Sequence, residues 1–128
     1  MTFTSFEELD CWQAARSASK LIRGFIKKLP ASERYDLIDN MRRASRSSTR
    51  NIAEGFGRFS YRENIKFCII SRGSQYELID DVISCKEDLY INDVDYFEAR
   101  KLLNKSIAIL NGYINYVERE DAKSKGKK

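Results

Sequence analysis

The 128-residue sequence has no histidine and one proline, and its three cysteines, Cys11, Cys68 and Cys85, lie far apart with no Cys-x-x-Cys pair. Without histidine, catalytic triads and imidazole acid–base chemistry are disfavoured. Zinc sites lose a usual ligand, and the Glu-x-x-His element of ferritin-like di-metal bundles is missing. Serine or cysteine nucleophiles have no recognisable motif here, and the thiols read as reduced core residues. No apolar run approaches the roughly 20 residues of a membrane span, and the opening MTFTSFEELD lacks the regions of a signal peptide. A cytoplasmic location with no membrane partner is therefore expected. No catalytic residue, cofactor or metal is expected either.

What is present is helical patterning. Hydrophobic residues make up 42% of the chain and charged residues 33%, a composition that fits a helix-rich soluble domain. Ser5 and Glu8 form a capping-box signature, after which Cys11, Ala15, Ala18, Ile22, Phe25 and Leu29 recur by fours and threes, predicting a first helix over 6–29. Trp12 lies beside this stripe and reads as core or interface. Pro30 ends the pattern, and Ser32 is a candidate cap for a second helix over 33–54 that buries Leu37, Met41, Ala44, Ser48 and Ile52. This mostly small face allows close helix approach. A third, more apolar helix over 61–89 contains Phe67-Cys68-Ile69-Ile70 and more apolar surface than one core needs; Gly73 inside it suggests close packing of another backbone. Asn92 or Asp93 caps a fourth helix whose stripe runs from Tyr96 to Val117. Tyr113 and Tyr116 fall off that stripe, as interface residues or base-stacking platforms.

The expected fold is thus all-α: an antiparallel up-down-up-down four-helix bundle over residues 1–118, followed by a flexible basic tail, 119–128. Tail residues Lys123, Lys125, Lys127 and Lys128 account for the whole net charge of +4.

Charge is concentrated elsewhere too. The stretch from Arg42 to Glu63 holds Arg42, Arg43, Arg46, Arg50, Arg58 and Arg62 against two acids, Glu54 and Glu63. Arg42, Arg46 and Arg50 share one helix face, where like charges repel and need anions. Those anions are solvent ions and nearby carboxylates on one reading, nucleic-acid phosphates on the other. Asp39 and Arg43 form an i, i+4 pair, which marks Arg43 as structural. Gly55 or Gly57 is expected to end the second helix near Glu54 in the left-handed conformation, and Ser60 with Glu63 to cap the third. The amides at that new N-terminus, beside Arg58 and Arg62, are a candidate phosphate site, although Gly55-Phe56-Gly57 is not a complete phosphate loop. From Glu77 to Glu98 the sign reverses, with eight acids and one base, Lys86. Such patches pair within the bundle or between subunits.

The run Arg42-Arg43-Ala44, then Ser47, Asn51 to Gly55, Gly57-Arg58, Ser60, Glu63 and the G-S-x-x-E-L of Gly73 to Leu78 resembles a bacterial four-helix bundle family. That family was first noticed as the product of intervening sequences in large-subunit ribosomal RNA genes, and it is similar to the accessory variability protein of diversity-generating retroelements. The resemblance spans roughly Phe6 to Val117. It implies a small antiparallel bundle, a homopentamer, no enzymatic activity, and a role in binding nucleic acid or a protein partner such as a reverse transcriptase. Ser48 and Thr49 stand where the family tends to have an aliphatic residue and proline, implying a straighter second helix. Arg46 and Arg50 replace residues that are usually uncharged.

The functional expectation is a non-enzymatic oligomeric accessory protein that binds RNA or DNA. Its contacts would come from Arg42, Arg46, Arg50, Arg58 and Arg62, assisted by Lys123, Lys125, Lys127 and Lys128. The alternative is a purely structural or protein-interaction oligomer whose arginines are consumed by the acidic patch.

Overall fold

A computed structural model describes residues 3–126. Among the described residues there are four α-helices, α1 (Asp10–Phe25), α2 (Leu37–Gly57), α3 (Tyr61–Glu87) and α4 (Asp93–Gly126), and no strand. Each helix packs on its sequence neighbour and α4 closes against α1, while α1 and α3 barely touch. This is the square cross-section of an antiparallel up-down-up-down bundle.

Helix ends follow local chemistry, with shifts from the sequence expectation. The Ser5–Glu8 capping box is made in both directions, but it closes a 3₁₀ turn over Phe6–Glu8, and α1 begins after Leu9. Two further 3₁₀ turns, Ile26–Lys28 and Ala31–Glu33, flank Pro30, so α2 begins at Leu37 with Asp36, not Ser32, at the cap position. At the other end α2 continues past Glu54 to Gly57. No described glycine has a positive φ; the left-handed residues that turn the chain after α2 and α3 are Phe59 (φ 53°) and Leu89 (φ 63°).

Gly55 serves packing instead of turning. A Cβ there would lie 2.9 Å from Asn64 Oδ1 and 3.0 Å from both the Asn64 carbonyl oxygen and Phe67 Cβ, so only a hydrogen lets α3 lie this close. Gly73 is the reverse case. It is exposed with open space where a Cβ would go, and the close packing expected of it is absent.

The core has two apolar layers. One gathers Ile22, Phe25, Met41, Leu78, Val82 and Leu103; the other gathers Leu9, Cys11, Ile52, Cys68, Leu110 and Ile114. Between them runs a buried polar belt that touches all four helices. Ser19 of α1 meets Ser48 Oγ of α2 at 3.0 Å, and Ser71 of α3 donates to the Ser48 carbonyl. Gln75 Nε2 donates to Ser71 Oγ at 3.3 Å, and Ser106 of α4 donates to Gln75 Oε1 at 2.6 Å. Ser19, Ser48, Ser71, Gln75 and Ser106 each thereby find a partner on a neighbouring helix, which fixes the axial register of the bundle.

Of the flexible basic tail expected over 119–128, residues 119–126 are helical. After Val117 the helix leaves the core yet continues to Gly126, supported by Lys123–Glu120 and Lys125–Asp121 pairs, each at 3.1 Å. Loss of apolar periodicity marks the end of burial, not of the helix, since i, i+3 and i, i+4 pairs sustain an exposed segment. On α3, Ile69 (45% exposed), Ile70 (43%) and Tyr76 (57%) face outward around Gly73, so this helix does carry apolar surface beyond the core.

Candidate nucleic-acid interface

The small inward face of α2 decides where its arginines stand. Because Ser45 and Ser48 occupy the contact with α1, the two backbones approach until Ser19 Oγ donates to the Ser45 carbonyl at 3.2 Å. Over this seam opens a groove of about 290 Å³, walled by Arg16 and Arg23 from α1 and by Arg46 and Arg50 from α2. Hydroxyl-bearing Ser19, Ser45 and Thr49 complete its lining, and no carboxylate takes part. Among the described residues none of the four arginines forms an ion pair with an acid. Arg16 is steadied instead by the Trp12 ring, 5.7 Å from its guanidinium carbon. Arg46 and Arg50 also border a second hollow, of about 350 Å³, with Arg43, Ser47 and Asn51.

The other expected contact residues are dispersed. Arg42 is exposed one turn before Arg46 but lines neither hollow. Arg58 pairs with Glu54 at 3.5 Å and lies 5.0 Å from the Phe67 ring centroid. Arg62 is exposed in the first turn of α3. The phosphate site expected at that N-terminus is weakened by its own cap, because Ser60 Oγ accepts the Glu63 amide at 3.3 Å. Lys123 and Lys125 project from the end of α4, each beside an acid, and Lys127 and Lys128 lie outside the described residues. Tyr113 and Tyr116 stack on each other at 6.2 Å, and Asn64 Nδ2 donates to the Tyr113 hydroxyl at 3.0 Å, so Tyr113 is tied into the bundle.

The arginine stretch finds its ion-pair partners on its own helix. Arg43 pairs with Asp39 at 3.3 Å as its spacing predicts. Glu33, Asp36, Asp39, Asp80, Asp81 and Asp88 line an acidic cleft of about 420 Å³ between α2 and α3, with Arg43 at its edge. Asp95 and Asp93 are met by Lys28 and Lys86. Pairing of the arginine stretch with the 77–98 acids inside the bundle is therefore absent among the described residues, which corrects one of the two outcomes expected from the sequence. Burial pushes the Asp81 carboxyl up to about 6, against the pull of its bond from Asn40. Burial also pushes all three thiols up to about 12, leaving them unreactive as nucleophiles at neutral pH. No group of three or more Cys, Asp or Glu among the described residues is placed to hold a metal ion.

Arg16 and Arg23 are the site residues that the sequence reading missed. They are seven apart on α1, with Ser19 between them on the same face, and flank the stripe of Ala15, Ala18 and Ile22. That helical spacing was available as a signal.

The family described as 23S rRNA-intervening sequence protein matches residues 7–112. The chain belongs to this family. The match takes in α1, α2, α3 and every arginine of the groove, while the last turns of α4 with Lys123 and Lys125 lie beyond it. No curated protein matches the chain. Among the described residues no helix is long and apolar enough to cross a membrane.

Proposed function

We propose that the chain is a non-enzymatic, oligomeric accessory protein that binds nucleic acid, RNA foremost, through the arginine surface of α1 and α2. The observation that carries this reading is the convergence of Arg16, Arg23, Arg46 and Arg50 on one groove without a carboxylate in its lining. Uncompensated guanidinium groups at this density attract phosphate and repay it with charge-assisted hydrogen bonds. The family's description, which refers to an intervening sequence of 23S ribosomal RNA, supports RNA as the ligand.

Exposed Ile69, Ile70 and Tyr76 support self-association through α3. A pentamer, and a reverse transcriptase as protein partner, are carried over from the family resemblance. Three buried free thiols suit the reducing cytoplasm.

The test is a mobility-shift titration of structured RNA, single-stranded RNA and duplex DNA, with light scattering on the same samples. Wild-type protein should shift RNA as an oligomer, and Arg46→Gln/Arg50→Gln should need more protein for the same shift at unchanged mass. If the variant instead dissociates while nucleic acid never bound, the arginines belong to a subunit contact and the structural-oligomer reading holds.

A further inference from the structure

The groove between α1 and α2 has a floor as well as walls. Ser45 is 1% exposed, and its Oγ finds no hydrogen-bond partner within the protein. Serines inside helices usually return their hydroxyl to a carbonyl one turn back. Neighbouring side chains do so, Ser48 to the Ser45 carbonyl at 2.8 Å and Thr49 to the Arg46 carbonyl at 3.4 Å. Ser45 does not. The Arg23 Nε–H, on the facing wall, is likewise buried without an acceptor. Ser45 and Arg23 both line the same groove, their unmet atoms closed to solvent, and all four charges around it are positive.

We infer that this groove is a seat for a phosphate monoester, received end-on between the four guanidinium groups, the arginine side chains parting so that its oxygens reach Ser45 Oγ–H and Arg23 Nε–H. The donor set lacks only an acceptor-rich anion, since arginine offers donors alone and a hydroxyl rotates to donate. A terminal monoester carries about −1.5 to −2 charges and three strong acceptor oxygens, more than an internal phosphodiester offers. Size agrees. Arg16 to Arg23 spans about 10 Å and Arg46 to Arg50 about 6 Å, the footprint of a strand end and not of a tracked strand. The phosphate could belong to a nucleic-acid 5′ end or to free phosphate; for the first source the inference rests on the nucleic-acid reading above.

Fluorescence anisotropy with one RNA oligonucleotide, bearing either 5′-phosphate or 5′-hydroxyl, separates the cases when combined with calorimetry of inorganic phosphate. The 5′-phosphorylated strand should bind at least about tenfold tighter, and inorganic phosphate should erase that preference while sparing residual binding. Ser45→Ala and Arg23→Lys, which keep the fold or the charge, should each cut the preference to about threefold or less. Equal affinity for both strands, with no phosphate heat, would overturn the seat and leave the nucleic-acid reading standing. A preference that both variants retain would overturn it too, by placing the phosphate elsewhere. Phosphate heat that is lost in both variants, without binding of any strand, would keep the seat and overturn the nucleic-acid reading.

Discussion

The side-chain amide of Asn40 on α2 donates to Asp81 on α3 at 2.7 Å, one of the polar links between these helices outside the central belt. Burial outweighs this bond, and with nearby Asp80, Glu77 and Asp36 it raises the Asp81 carboxyl from its ordinary 3.8 to about 6. The folded chain therefore holds this proton between about pH 4 and 6 while the unfolded chain has released it. Across that window native protein binds more protons, so the contribution of Asp81 to stability falls as pH rises and levels off above it. Asp81→Asn keeps the acceptor for Asn40 and removes the charge. It should stabilise the protein by about 1 kcal/mol at pH 7 and by nearly nothing at pH 4. Thermal melts of both proteins at the two pH values check this; a variant less stable at pH 7 would contradict it.

Two glycines should respond in opposite directions to the same change. Gly55→Ala places a methyl 3.0 Å from the Asn64 backbone oxygen, so α2 and α3 must part. A loss of about 1–3 kcal/mol is expected. Gly73→Ala meets open space on an exposed helix face and should gain up to about 1 kcal/mol from helix propensity. Urea denaturation of the pair measures both signs at once.

The belt across the core predicts a cost that depends on context. Ser106→Ala leaves Gln75 Oε1 buried without its donor and should destabilise by about 1–3 kcal/mol. Adding Gln75→Leu removes the stranded amide, so the double variant should recover part of that loss. Equal stability of Ser106→Ala and wild type in urea would show that the belt does not contribute as described.

How far the sequence disclosed this molecule can be followed residue by residue. Leu37, Met41, Ala44, Ser48 and Ile52 are all buried, as their spacing predicts, because helical periodicity reports burial directly. Helix ends were less legible. Phe59 and Leu89 take left-handed conformations in which glycine is favoured, and nothing local to a phenylalanine or leucine signals this. Gly55 looked like a turn residue because its partner, Asn64, is brought near only by tertiary packing. The groove was half visible for the same reason: Arg46 and Arg50 belong to a dense local run, whereas Arg16 and Arg23 join them only once serines let α1 and α2 close together. Arg58 stood in that run but is engaged by Glu54 and Phe67.

The salt dependence of RNA affinity tests the central claim most directly. Each phosphate neutralised by an arginine releases counterions, so log K should fall linearly with log salt concentration. Replacing Arg46 and Arg50 by glutamine should reduce that slope by about 2 while the oligomer and its melting temperature stay unchanged. An unchanged slope in the double variant, with RNA still bound, would contradict the assignment of these arginines to the nucleic-acid surface.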